Sequence, residues 1–298
     1  MQLRIANAPT SWGIEDPEDR ANPAWADVLD DVARAGYAGV ELGPLGYLPD
    51  DATLLRHELD VRGLELVAGF LFMPLHTREG AADAVEVARR TCGLLAGAGA
   101  SHLVLIQGFT PERERAAGRP GAARPPSEEE WRTMVDTVHR LARVAAEYDL
   151  LPCLHPHAGT HVEFEPEIER VIADTDPELV ALCLDTGHCA YAGVDPVELY
   201  RRHSERIAYF HLKDVDRAGL RRALASALSF EQAVAARVFC PLGEGVVDFA
   251  ALRAALEETG FDGWATVEQD RLPTDSATPA AHAAASLRHL RSLGLAAA

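Results

Sequence analysis

Histidines and carboxylates close several short apolar runs of this 298-residue chain, in positions where a number of them can share one small ligand. In CLHPHAG, His155 and His157 are two residues apart, so an extended strand projects both to the same side. In LCLDTGH, Asp185 ends an apolar run and His188 follows in the turn, bringing a carboxylate and an imidazole to one opening. YFHLKD adds His211 and Lys213, and ATVEQD adds Glu268. Asp185, His211 and Glu268 make a mixed oxygen and nitrogen donor set suited to Mn²⁺, Co²⁺, Mg²⁺, Fe²⁺ or Zn²⁺. With no thiolate among them, a closed structural zinc site is not expected. The plainer alternatives are a buried, hydrogen-bonded histidine pair at 155 and 157, and an Asp185 that only caps the turn after it.

The elements that must carry these residues follow from the hydrophobic pattern. Eight runs rich in β-branched residues recur, over residues 3–9, 39–43, 65–72, 102–108, 152–157, 180–185, 207–213 and 264–269. Between them lie stretches of helical periodicity, an alternation that implies parallel strands with crossover helices. Trp25, Val28, Leu29 and Val32 form one such stripe, and Trp131, Met134, Val135, Val138, Leu141, Ala142 and Ala145 a longer one. Glycines end several helices, as in RAGYAGVEL, VRGLELV and ETGFDGWATV. An open doubly wound sheet shares this alternation, but no GxGxxG follows the first strand and no GxxxxGK[ST] occurs. The expected fold is therefore an α/β class (β/α)₈ TIM barrel, one domain over residues 1–298, since such a barrel uses about 250 residues.

In a barrel the polar strand ends all face one mouth, where active sites are built. Two connections that follow strands, 109–126 and 214–247, are too long for plain turns and are expected on that face as lids or as contact surfaces. The first is rich in Pro, Gly and Arg, a composition that suits a mobile segment; residues 217–237 within the second suit a short helix. His76 in FMPLH and Gln107 in LIQG are expected substrate contacts. Glu41 in GVELG either meets substrate or pairs with a neighbouring strand end, and Trp12 in NAPTSWG either walls a ring or packs the barrel end. Lys213 balances substrate charge or the adjacent acids. His57, His139, His203, His282 and His289 fall in helical stretches and are expected to be solvated.

Composition narrows the partners. Hydrophobic residues at 48% and charged residues at 25% match ordinary globular usage, so a full core is expected. A formal charge of −18 repels phosphate backbones and anionic membranes, which excludes nucleic acid and membrane surfaces as expected partners. Five cysteines, odd in number and without a CxxC pair, argue against a disulfide framework. The N-terminal MQLRIANAPTSW lacks a signal-peptide pattern, and a cytoplasmic protein is expected.

Taken together, GVELG, LDTGH, FHLKD and ATVEQD resemble the xylose-isomerase-like TIM barrels, the sugar phosphate isomerase/epimerase group, over nearly the whole chain. Within that group IANAPTSWG, ELGPLGYLP, GFLFMPLH and HPHAGTHVE look most like inosose (2-keto-myo-inositol) dehydratases. The resemblance implies one divalent ion, Mn²⁺ or Co²⁺ first, held by Asp185, His211 and Glu268. Epimerases of the group use a further glutamate where this chain has His155, so His155 is the implied fourth ligand. Two opposed glutamates exchange protons in those epimerases, and the loss of one favours dehydration of a cyclic keto-polyol through an enediolate. Glu268 or His157 would then take the α-proton, with His188 or Lys213 assisting the leaving oxygen. The same resemblance keeps open a sugar isomerase or epimerase, a C-glycoside deglycosidase subunit and an abasic-site endonuclease, and implies a homo-oligomer.

Overall fold

The computed structural model describes residues 2–273 and 279–297. Its strands are β1 (Arg4–Asn7), β2 (Gly39–Val40), β3 (Glu65–Leu66), β4 (Ala68–Met73), β5 (His102–Gln107), β6 (Leu151–Leu154), β7 (Ala181–Asp185), β8 (Ile207–Leu212), β9 (Asp214–Val215), β10 (Phe239–Cys240) and β11 (Trp264–Val267). Nine of them form one sheet in the order β3-β2-β1-β11-β8-β7-β6-β5-β4, and all its pairings are parallel. Its two ends are one bent strand, since only Val67 separates β3 from β4. The Val67 N–H donates to the Val40 carbonyl at 3.0 Å and the Leu42 N–H to the Ala68 carbonyl at 2.8 Å. The sheet thus closes into a barrel of eight staves.

Helices α1 (Trp25–Ala35), α2 (Ala52–Asp60), α3 (Arg78–Ala98), α4 (Pro111–Ala116), α5 (Glu128–Ala146), α6 (Glu165–Asp174), α7 (Thr186–Tyr191), α8 (Pro196–His203), α9 (Arg217–Ala225), α10 (Phe230–Ala235), α11 (Phe249–Thr259) and α12 (Pro279–Ser292) fill the crossovers. Their starts are chemically marked. Ser127 and Glu130 form a reciprocal capping box on α5, whose buried stripe runs from Trp131 to Ala145 as the 3.6-residue period requires. Helix α1 buries Val28, Leu29 and Val32 and stops at Gly36, whose φ of 92° suits glycine. The main core lies between barrel and helices, and all five cysteines are free.

Both long connections carry structure. Residues 109–126 include α4, pinned by Arg113, which is 1% exposed and bonds both Glu167 carboxylate oxygens at 2.7 and 2.8 Å. This buried fork ties α4 to α6. Residues 214–247 hold α9, α10 and the antiparallel pair β9 and β10, and pack Phe230, Val234 and Phe239 into a second core with Ala117 and Tyr191. Asp214 organises the return of this connection, accepting from the backbone N–H groups of Val215, Gly243, Gly245 and Val247 at 2.9 to 3.0 Å.

Candidate active site

Strand alternation stacks the interior of the barrel in layers. Residues two apart on a strand share a face, so Tyr209, His211 and Lys213 rise in one column on and just beyond β8. Cys153, His155 and His157 rise from β6, Cys183 and Asp185 on β7, and Thr266, Glu268 and Asp270 from β11. The β7–β8 register pairs Asp185 with His211, and the β8–β11 register pairs His211 with Thr266. The lower level is Cys153, Cys183, Tyr209 and Thr266, all fully buried. Directly above it lie His155, Asp185, His211 and Glu268.

The imidazoles are oriented for ligation. His155 Nδ1 lies 2.7 Å from the Pro156 carbonyl and donates to it, which turns Nε2 toward Asp185 Oδ2 at 3.5 Å. His211 donates from Nε2 to Glu41 Oε1 at 2.9 Å. Its Nδ1 has no hydrogen-bond partner and lies 3.2 Å from Glu268 Oε2 and 3.9 Å from Asp185 Oδ2. Asp185 divides its two oxygens: Oδ1 caps α7 by accepting the His188 N–H at 2.7 Å, while buried Oδ2 has no hydrogen-bond partner. The capping and the ligating roles are therefore compatible. Burial alone would raise the Asp185 and Glu268 carboxyls, but the Lys213 ammonium, the foremost opposing charge, holds Asp185 well below its ordinary value. His211 and Lys213 hold Glu268 down to about 2. Unprotonated carboxylates converging with imidazole nitrogens that a cation can take over from protons are what a divalent ion requires, so this donor set can hold one. Glu41/His211/Glu268 and His155/Asp185/His188 each bring three donor atoms within 4.8 Å.

Above this level sit His157, His188, Lys213 and Asp270. Lys213 is 1% exposed, and its Nζ lies 2.6 Å from Asp270 Oδ1, 3.0 Å from His188 Nε2, and 3.2 Å from both Asp185 Oδ2 and Glu268 Oε2. Burial opposes the charge, yet Asp185, Asp270 and Glu268 together keep it an ammonium. The glycine of LDTGH has its reason here, since a Cβ on Gly187 would lie 2.6 Å from Lys213 Cγ. His157 and His188, with ring centroids 3.7 Å apart, are held neutral by burial and by the positive charge of Lys213 beside them. His157 Nδ1 donates to the Ala158 carbonyl at 2.8 Å, freeing Nε2 as a base.

His155, His157, His188, His211, Lys213 and Glu268 open onto one cavity of about 670 Å³. Phe109 from the first long connection and Phe230, Glu231 and Val234 from the second complete its wall. The four residues assigned to substrate lie elsewhere. Glu41 is fully buried and accepts from both Tyr209 and His211, so it fixes the His211 ring and does not open onto the cavity. Gln107 is 1% exposed and lies 2.7 Å from His76 Nδ1, and His76 packs edge-on against His161. Trp12 packs into the main core. Of the histidines expected in solvent, His203 Nε2 lies 3.0 Å from both oxygens of Glu169, His139 accepts the Asp176 N–H at 3.0 Å, and His282 Nδ1 meets Arg271 and Gln269.

Sequence reasoning passed over Asp270, although period-two alternation from Glu268 points to it. It also passed over Glu15, which stands at the cavity mouth beside Asp16 and Asp19. A third signal was compositional: Lys213 is the only lysine in the chain, all other basic side chains of the Lys/Arg class being arginine.

Comparison with known proteins agrees with this architecture. A family profile described as "Xylose isomerase-like TIM barrel" matches residues 29–293. The inosose dehydratase of Geobacillus kaustophilus (strain HTA426) is 34% identical over 274 residues, covering 91% of this chain and 88% of that protein. The rhizopine catabolism protein MocC of Rhizobium meliloti is 36% identical over 278 residues, covering 93% and 84%. Among solved structures, the IolI protein with a bound zinc atom superposes with a TM-score of 0.75 at 16% identity, covering 98% of both chains, a likeness of fold. With a closed eight-stave barrel and a family match over most of its length, the chain belongs to the xylose isomerase-like TIM barrel family.

Proposed function

We propose that the protein is a divalent-metal-dependent dehydratase of a cyclic keto-polyol, of the inosose dehydratase kind. The observation that carries this reading is the convergence of Asp185 Oδ2, His211 Nδ1, His155 Nε2 and Glu268 Oε2 beneath a cavity flanked by a neutral His157 and a charged Lys213. His155, Asp185, His211 and Glu268 would hold the ion, Mn²⁺ or Co²⁺ by donor type, with Zn²⁺ as in the IolI structure the alternative. Such an ion supplies Lewis acidity to a substrate ketone and to the enediolate that forms from it. His157 Nε2, free of its proton, takes the hydrogen from the carbon beside the ketone, with Glu268 the second candidate base. The Lys213 ammonium gives its proton to the hydroxyl on the next carbon, which departs as water; His188, in contact with Lys213, relays or shares that proton. The result is a substrate lighter by one water. Five free cysteines, four of them buried, suit a reducing compartment such as the cytoplasm.

The test is a mass-resolved screen of inosose, keto-sugars and dehydroshikimate with Mn²⁺ or Co²⁺. Loss of one water supports dehydration, whereas unchanged mass with solvent deuterium incorporated identifies an epimerase or isomerase. Asp185→Ala and His211→Ala should lose metal binding and turnover together; full turnover by metal-free Asp185→Ala protein overturns the proposal.

A further inference from the structure

The same four staves supply two levels of polar residues at the barrel mouth. His155, Asp185, His211 and Glu268 make the middle level. Two residues further along β6, β8 and β11, and three after Asp185, stand His157, Lys213, Asp270 and His188. On this upper level, one atom each of His157, His188 and Asp270 lie within 4.8 Å of one another, a spacing that can hold a cation. Asp270 Oδ2 is buried, makes no hydrogen bond and lies 3.6 Å from His188 Nε2. The upper level thus offers ligands for an ion of its own.

Lys213 Nζ stands among them. Around it are Asp270 Oδ1 at 2.6 Å, His188 Nε2 at 3.0 Å, and Asp185 Oδ2 and Glu268 Oε2, each at 3.2 Å. The last two oxygens also belong to the middle level, 3.9 and 3.2 Å from His211 Nδ1. They are shared by two neighbouring places for a cation, one bounded by His155 and His211, the other by His188 and Asp270. Divalent ions that act as a pair lie about 3.5–4 Å apart, and two carboxylate oxygens common to both places suit such a pair. With the ammonium in the second place, a further dication brought within about 3 Å of it is repelled enough to bind at least about 100-fold more weakly, even at the dielectric of water. The position also suits lysine alone among the basic side chains. An ammonium is a compact point charge on a thin stem and a guanidinium a planar fork, and the single lysine of a chain otherwise furnished with arginine stands here.

We propose that Lys213 occupies a second divalent-cation site, formed by His157, His188 and Asp270 with the shared oxygens of Asp185 and Glu268, and so limits the centre to one ion. This rests on the metal reading of the middle level. An ammonium in that place holds positive charge beside a departing hydroxyl, as an ion would, and also has a proton to give.

Chelator-treated protein is equilibrated by dialysis against Mn²⁺, the bound ion is counted per chain, and electron spin resonance is recorded on the same samples. Wild type binds one ion per chain and shows the signal of isolated Mn²⁺. Lys213→Ala binds two, and coupling between them suppresses that signal. The second ion binds at least about 100-fold tighter in Lys213→Ala than in wild type. Adding Asp270→Ala to that variant returns the count to one. Lys213→Ser, kept in Mn²⁺ throughout its preparation, gives the same count of two where the alanine variant does not fold. Two ions in wild type, one ion in the folded alanine or serine variant, or a second ion that survives the loss of Asp270 overturns this inference and leaves the dehydratase reading to the mass of the product. Wild type that binds no ion overturns both.

Discussion

Replacing Lys213 with methionine removes the one positive charge that Asp185, Glu268 and Asp270 share, while keeping an unbranched side chain of similar length. At 3.2 Å, the separation of Nζ from both Asp185 Oδ2 and Glu268 Oε2, the gross attraction is about 5 kcal/mol per pair at an effective dielectric of 20. Desolvation offsets much of it, and the net loss from breaking such a buried cluster is about 3–5 kcal/mol. Unfolding entropy near 2.1 cal/mol/K per residue over 298 residues converts this to a fall in melting temperature of roughly 5–8 °C for chelator-treated protein. The same substitution makes the donor cluster more negative, so Mn²⁺ should bind at least about tenfold tighter, and saturating Mn²⁺ should recover most of the lost stability. Thermal unfolding with and without metal, together with chelator-competition titration, reads both effects. Lys213→Met protein that melts at the wild-type temperature without metal, or that binds Mn²⁺ no more tightly than wild type, refutes the account of Lys213 as the internal counter-cation.

Glu41→Gln keeps an acceptor for His211 but withdraws the charge that makes its imidazole a strong donor, and should weaken Mn²⁺ binding about 10- to 100-fold in the same titration. Asp214→Ala strands backbone N–H groups that the carboxylate now serves, and should cost at least about 2 kcal/mol in urea unfolding. Glu163 offers a pH readout. Burial, opposed by the Gly118 and Gly159 N–H groups and Arg113, pushes its carboxyl up to about 7 from an ordinary 4.5. A native value above the unfolded one means stability fully present below about pH 4.5 and lost as pH rises through about 7, up to roughly 3 kcal/mol. Glu163→Gln should flatten that slope between pH 5 and 8; an unchanged slope assigns it to other groups.

The eight strands, their helices and the polar strand ends were legible in the sequence because each rests on local physics. Period-two alternation on β6 and β8 forces His155 with His157, and His211 with Lys213, onto the barrel interior whatever the rest of the chain does. Helix stripes and glycine stops are similarly local, as α1 with Gly36 and α5 with its capping box show. Asp270 was within reach of the same rule, two residues beyond Glu268 on one face. What only the tertiary structure decided was pairing across the barrel. Glu41 and His211 are 170 residues apart, yet closure puts them 2.9 Å apart and fixes the imidazole ring against the carboxylate. In the loop after β5, composition gave no sign that Arg113 pairs with Glu167, 54 residues away. Trp12, His76 and Gln107 stand near strand ends, but the side of the wall each occupies depends on how neighbouring loops pack. A strand's pattern determines which residues face inward; which of them meet depends on barrel closure, through distances that no local pattern encodes.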